Sequence, residues 1–265
     1  MSDDLGKAVT ETIELYHLEM EGESHVVGQL DTVKIDDRLV VYHRPKSVES
    51  EYFRFLKSRI EQEFAGPKNR KKGRVVMFTG PNLAAGKTTI SINLALAFAR
   101  SYGEKTLFMD VDSRKSTSRE YLGIREEYLA GFTDILNMKA KTEQVLLNSG
   151  MFDMAYLPSG LFSETFLDNL SSQQLSVLLE NLRSKFKYIV IDAPPAFPMP
   201  EPAILAPHCD GVFIVLKAGR DGPNDLTQAL EALEGSKIMG IILNGVKKTP
   251  GQRYGAYGYY GKGRS

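Results

Sequence analysis

Gly86-Lys87-Thr88 closes a turn of small residues, GPNLAAGKTT, between an apolar run, VVMFT (75–79), and a helix-like run, ISINLALAFAR. A strand, a tight turn, then Gly-Lys-Thr opening a helix is an arrangement that cradles phosphates. Backbone N–H groups and the helix N-terminus face one point and favour negative charge there. Lys87 would neutralise the β- and γ-phosphates of a nucleotide, and the Thr88 hydroxyl would ligate Mg²⁺. Ala84, Ala85, Gly86 and Thr89 complete the cradle. An ordinary β–α turn does not account for a lysine at a helix start, where a cation is disfavoured. The spacing departs from G-x-x-x-x-G-K-[ST] at one point: Pro81 takes the place of the first glycine, and Gly80 stands one residue early.

Two further apolar runs end in carboxylates. TLFMD (106–110) continues as Asp110-Val111-Asp112-Ser113-Arg114, and YIVID (188–192) as Asp192-Ala193-Pro194-Pro195. Residues two apart on a strand share a face, so Asp110 and Asp112 point the same way while the strand lasts. One Asp after a strand is an ordinary turn residue or helix cap. Three of them downstream of Gly-Lys-Thr form a set able to converge on Mg²⁺.

These groups need a scaffold that brings strand ends together. Apolar runs of strand length recur at 75–79, 106–110, 154–158, 188–192, 211–217 and 238–243, separated by helix-like segments over 88–101, 171–185 and 224–233. Near-continuous apolar strands alternating with helices predict an α/β fold, a mostly parallel sheet covered by helices on both faces. Ligands bind at the carboxyl ends of such strands. Upstream, Leu5, Val9, Ile13 and Tyr16 or His17 fall at helical spacing over residues 1–22, which predicts a surface or partner-docking helix. Ile35 to Tyr42 alternates as a strand would, and Ser47 reads as the N-cap of a helix over 48–63. The basic segment GPKNRKKGR (66–74) reads as a solvated loop. The end, TPGQRYGAYGYYGKGRS, has glycines interleaved with Tyr254, Tyr257, Tyr259 and Tyr260 and no apolar periodicity, so it predicts a flexible tail. The expected division is 1–34 as an N-terminal extension, 35–249 as the nucleotide-binding domain and 250–265 as the tail.

The bulk properties fit a soluble, cytoplasmic chain. Lys plus Arg and Asp plus Glu both number 33 in 265 residues, so net charge supplies no general pull toward nucleic acid or an anionic membrane. The single cysteine, Cys209, excludes an internal disulfide, fits a reducing compartment and reads as a small packed residue. No stretch approaches the ~20 apolar residues of a membrane span, and the acidic start lacks a signal-peptide core.

The set GPNLAAGKTT, LFMDVDSR, YIVIDAPP and a tyrosine-rich tail resembles the bacterial tyrosine kinases (BY-kinases) of capsule and exopolysaccharide production. Their site combines a Walker A loop, a Walker A′ motif of apolar residues followed by D-x-D-x-R, and a Walker B motif of apolar residues followed by D-x-x-P. Residues 107–114 and 189–195 match the last two in full, and the resemblance covers roughly 35–265. The family's E-x-x-R-x-x-R helix, used between subunits, is matched by Glu51, Arg54 and Lys57, the lysine keeping charge without a bidentate fork. Asn244 falls where related ATPases place an adenine-contacting asparagine. Ala84 replaces a glycine that the family has two residues before Gly-Lys; if positive φ is needed there, alanine costs roughly 1 kcal/mol.

The resemblance implies an ATP- and Mg²⁺-dependent autokinase that phosphorylates its terminal tyrosines, mainly between subunits of a homo-oligomer. Asp110 would take the phenol proton, Asp112 and Asp192 would position Mg²⁺ with Thr88, and Arg114 would pair with a carboxylate. It also implies a membrane partner, a polysaccharide co-polymerase or chain-length adaptor whose cytoplasmic end activates the kinase at the inner membrane, and a cognate tyrosine phosphatase. A nucleic-acid partner is not expected. Two other readings share the residues. One is an ATPase switch like those that position cell division or partition chromosomes, although their signature lysine is absent between Gly80 and Gly86. The other is a weakly catalytic relative that regulates export through contacts alone.

Overall fold

In a computed structural model, the described residues are 12–17, 26–31, 35–65, 72–101, 105–124, 129–149, 152–171 and 173–247. The strands are β1 (Thr12–His17), β2 (Val26–Asp31), β3 (Arg74–Thr79), β4 (Thr106–Asp110), β5 (Leu147–Ser149), β6 (Ala155–Leu157), β7 (Tyr188–Asp192), β8 (Gly211–Lys217) and β9 (Ile238–Asn244). The helices are α1 (Val40–His43), α2 (Val48–Glu63), α3 (Lys87–Ala99), α4 (Ser118–Tyr121), α5 (Phe132–Leu136), α6 (Thr142–Val145), α7 (Phe166–Leu170), α8 (Gln173–Lys185), α9 (Glu201–Leu205) and α10 (Pro223–Ala232). One sheet holds all nine strands in the order β2-β1-β5-β6-β4-β7-β3-β8-β9. From β6 to β9 every pairing is parallel, whereas β5, β1 and β2 extend the sheet antiparallel.

The apolar runs explain this arrangement. In β3, Val76 and Phe78 enter one buried cluster with α3, while Val75 and Met77 enter a second cluster with α8. A strand buried on both faces has no place for polar alternation. Helix α3 is the most enclosed of the helices: eleven of its thirteen residues are buried, so the turn that precedes it rests on a fixed base. Its Asn93 is buried, accepting from Val41 N at 2.9 Å and donating to the carbonyls of Arg38 (2.9 Å) and Thr89 (2.8 Å).

That asparagine helps to explain a departure from the expected strand over Ile35–Tyr42. The segment instead makes a turn, with Arg38 N donating to Asp36 Oδ1 at 2.8 Å, and then the short α1. Ile35, Leu39, Val40 and Val41 all pack in the cluster that includes α3, and Ile35 and Leu39 stand four residues apart, a spacing that suits a turn and a helix. The helix expected within residues 1–22 is also overturned, since residues 12–17 form β1, paired antiparallel with β2 and β5. Thr, Ile and Tyr favour strands, and the available partner strands outweigh a sparse helical spacing. Other elements fall close to expectation. Ser47 caps α2, its Oγ accepting from Ser50 N at 3.2 Å. Cys209 packs against the second cluster, and burial pushes its thiol up to about 12. Among the described residues no helix is long and apolar enough to cross a membrane. The tail 250–265, with its four tyrosines, and residues 66–71 of the basic segment lie outside the described residues.

Candidate active site

Strands β4, β7 and β3 are neighbours, and each delivers its motif at its carboxyl end. Asp110 and Asp192 are register partners on adjacent parallel strands, so the fold places two of the three carboxylates side by side. The turn after β3 fits closely around its neighbours. A Cβ at Gly80 would collide with the Val215 carbonyl of β8, which accounts for a glycine there although the motif spacing wants it one residue later. Gly86 has φ +95° and lies against the Asn244 amide.

The cleft above these strand ends has a volume of about 840 Å³, and Lys87, Thr88, Asp112, Asp192 and Asn244 are among the residues lining it. Lys87 is buried and donates to the Asn82 carbonyl at 3.2 Å; burial pushes its pKa down, against the pull of Asp192 and Asp112. Thr88 Oγ1 donates to Asp192 Oδ2 at 2.6 Å, while the other Asp192 oxygen is buried without a partner among the described residues. Burial and the neighbouring Asp110 push the Asp192 pKa up. The Thr88 hydroxyl and two carboxylates of the cleft, Asp112 and Asp192 with its unsatisfied oxygen, form a hard-oxygen donor set that fits Mg²⁺.

Asp110 stands differently. It is 1% exposed and does not line the cleft; it accepts from Asp112 N at 2.9 Å, from Ser116 Oγ at 2.7 Å and from Ser118 Oγ. Burial raises its pKa, and the two serines oppose that rise. Arg114 meets a carboxylate as expected: its Nε lies 3.2 Å from Oε1 of buried Glu201, and its guanidinium stacks 3.8 Å from the Phe162 ring centre. Asn244 donates its amide to Ala85 O at 2.8 Å, which pins the turn from the end of β9. Thr89 shares a hydrogen bond with the Tyr121 hydroxyl at 3.0 Å.

On α2, Arg54 pairs with Glu51 in the same helix, both exposed. Lys57 turns inward to Ser101 and lies 3.4 Å from Glu61, so only the first two of this trio present charge outward. Several site residues had no signal in the sequence. Asn82 is tied through its side chain to Asp221 (3.1 Å) and Asp225 (3.2 Å), Arg220 donates to Leu83 O at 2.8 Å, and Ser116, Ser118 and Glu201 serve the carboxylate loop. Asn82 holds an unspecified position of the phosphate-binding turn, and the others act from a loop or helix start that belongs to no spaced motif.

Ala84 has φ +54°, in the left-handed region where a Cβ is strained, and it is exposed. Ala84→Gly is therefore expected to stabilise the chain by up to about 1 kcal/mol, read as a rise of roughly 2–4 °C in Tm. A fall in Tm would show that the turn does not carry this strain.

Comparison with known proteins agrees with the geometry. A family profile described as an AAA domain matches residues 75–237. The tyrosine-protein kinase CpsD of Streptococcus agalactiae is 33% identical over 214 residues, covering 80% of this chain and 90% of that one. The tyrosine-protein kinase YwqD of Bacillus subtilis is 30% identical over 230 residues, covering 86% and 93%. The kinase domain of the Escherichia coli tyrosine kinase ETK superposes with a TM-score of 0.74 over 86% of this chain and 87% of that chain, at 24% identity, a likeness of fold. With a Walker A turn, a D-x-D-x-R loop and a Walker B aspartate gathered at neighbouring strand ends, this chain belongs to the bacterial protein-tyrosine kinases.

Proposed function

We propose that the chain is an autokinase that moves the γ-phosphoryl of ATP to Tyr254, Tyr257, Tyr259 and Tyr260, acting mainly between copies of itself. The observation that carries this reading is the convergence of Lys87, Thr88, Asp112 and Asp192 on one cleft, with Asp110 beside Asp192. Ala84 to Thr89 would hold the phosphates and Asn244 would meet the adenine. Mg²⁺, held by Thr88, Asp112 and Asp192, would offset charge on the β- and γ-phosphates. Lys87 would stabilise charge on the transferring group.

In the transfer, the tyrosine oxygen bonds to phosphorus, the bridging oxygen leaves with ADP, and the phenol proton passes to a carboxylate. A phenol of pKa near ~10 needs such a base at neutral pH. Asp110 is our candidate, since burial already draws its pKa upward toward that range. Ser116 and Ser118 both donate to its Oδ2 and the Asp112 N–H to its Oδ1, so residues 111–118 would have to open to admit the phenol.

Wider roles follow from the family resemblance. We infer a homo-oligomer that uses Glu51 and Arg54, with Lys57 taking a smaller part because it is engaged within its own subunit. We also infer a role in capsule or exopolysaccharide synthesis and export. The kinase would work in the cytoplasm at the inner membrane, held by a polysaccharide co-polymerase or chain-length adaptor and opposed by a tyrosine phosphatase. Replacing all four tail tyrosines with Phe is expected to remove most label transferred from γ-labelled ATP. Undiminished labelling would move the acceptors elsewhere in the chain.

A further inference from the structure

The loop between β8 and α10 reaches across to the phosphate turn and grips it from outside the nucleotide cleft. The Asp221 carboxylate, whose side chain is 0% exposed, accepts from Lys217 N at 2.7 Å, which ties it to the end of β8. It also takes Arg220 at two points, Nε at 2.7 Å and Nη2 at 3.1 Å. Burial alone would raise the Asp221 pKa, and the bonds from Arg220, Lys217 N and Asn82 bring it below its ordinary value, so the pair is ionised. Held in this way, Arg220 turns Nη1 to the Leu83 carbonyl at 2.8 Å. The turn needs such a contact. Leu83 is 51% exposed and Ala84 is exposed, so core packing does not fix them. Ala84 also keeps φ +54°, and a strained conformation persists only where its surroundings hold it.

We propose that Arg220, aligned by Asp221, is a positioning residue that aims the Ala84 N–H at the phosphates of the nucleotide. The proposal rests on the reading of Gly86-Lys87-Thr88 and the turn before it as a phosphate site. In a planar trans peptide the carbonyl and the following N–H point opposite ways. Holding the Leu83 carbonyl from the β8–α10 loop therefore turns the Ala84 N–H away from that loop, toward the cleft that Ala84 lines. Asn244 does the same for the Gly86 N–H from β9, through the Ala85 carbonyl at 2.8 Å. Asn82 is anchored by its side chain to Asp221 (3.1 Å) and Asp225 (3.2 Å), and its carbonyl takes Lys87 at 3.2 Å. The carbonyls of residues 82, 83 and 85 are thus all answered by side chains, which leaves the amides of the turn to an anion. Attraction does not explain the loop. Asp225 caps α10 through Gly222 N at 2.7 Å, but Asp221 sets a second carboxylate beside a phosphate site, where charge alone would oppose binding. Alignment of Arg220 and Asn82 accounts for it. A lysine at 220 would keep the charge and lose the planar fork that holds Asp221 and the Leu83 carbonyl together.

The test measures Mg-ADP binding to the full chain by calorimetry near physiological salt, where long-range attraction is screened. Arg220→Ala is expected to weaken binding about tenfold, the worth of one hydrogen bond to a charged group. Arg220→Lys should weaken it almost as much. Asp221→Asn should weaken it too, although loss of a negative charge near the phosphates would by attraction alone strengthen it. Adding Asp221→Asn to Arg220→Ala should cost little more, since both act through one contact. The Arg220 side chain is 42% exposed, so its variants should melt close to the parent. In a chain labelled with ¹⁵N-alanine, the Ala84 amide proton should shift downfield when ADP binds the parent and less in Arg220→Ala, a readout that a role in stability alone would not move. Parent-like binding by Arg220→Ala or Arg220→Lys, or tighter binding by Asp221→Asn, overturns the proposal. A parent that does not bind Mg-ADP would instead overturn the phosphate-site reading beneath it. Tail phosphorylation does not enter the measurement, so failure of the autokinase reading would show separately.

Discussion

Lys87→Met is expected to cut tyrosine phosphorylation by at least about 10²–10³-fold, equivalent to roughly 3–4 kcal/mol of transition-state stabilisation. The side chain is buried at the start of α3 and, among the described residues, makes a single hydrogen bond, to the Asn82 carbonyl. Burial already pulls its pKa down, so the fold gains little from its charge without a nucleotide present. Met fills a similar volume, and Tm should stay within about 2–4 °C of the parent, corresponding to roughly 1 kcal/mol. Transfer rate and thermal melting measured on the same preparation decide the matter. An active variant would remove Lys87 from the reaction, and an unfolded one would make it a structural residue.

Asp192→Asn should do opposite things to stability and function. In the parent, one carboxylate oxygen takes the Thr88 hydroxyl and the other is buried, without a partner among the described residues, beside Asp110. Burial is the first cause of a pKa raised to about 8, with the Asp110 charge second. A folded pKa above the unfolded value means that folding favours the protonated acid. The stability this contributes is present below the ordinary carboxylate range and is lost as pH rises through about 8. The amide cannot ionise, so the variant's advantage in Tm should be small at pH 5 and largest near pH 9, on the order of 1–3 kcal/mol. The same change removes an anionic ligand, so Mg²⁺ should no longer strengthen nucleotide binding. A variant that melts lower than the parent at pH 9 would contradict the strain assigned to this carboxyl.

Both predictions concern residues that the sequence exposes by spacing alone. Asp110-x-Asp112 and Asp192 each close an apolar run, Gly86-Lys87-Thr88 follows another through a turn of small residues, and a parallel sheet has one edge where such ends meet. The motif geometry and the strands that carry it are therefore legible together. Residues fixed by long-range contacts are not. Nothing local in Ile35–Tyr42 reveals that Asn93, more than fifty positions away, takes the Val41 N–H and the Arg38 carbonyl, so alternation reads as a strand. Helical spacing over Leu5, Val9 and Ile13 likewise gives no view of β2 and β5, whose edges pair residues 12–17. Glu201 and Ser118 reach the site from the first residues of short helices, and Ser116 from a loop, none with a pattern of its own. The enclosure of Asp110 is the clearest case: the motif marks the carboxylate, and only the fold shows its oxygens covered.

The central claim is that this cleft phosphorylates the chain's own tail. Its most direct test is incubation of the purified protein with Mg-ATP, then mass spectrometry of the C-terminal peptide, with Lys87→Met as control. Phosphotyrosine at Tyr254, Tyr257, Tyr259 or Tyr260 in the parent and its loss in the control is the predicted result. An unmodified tail despite saturating nucleotide, unchanged when the cytoplasmic segment of a membrane partner is added, would contradict it and favour a nucleotide-driven switch.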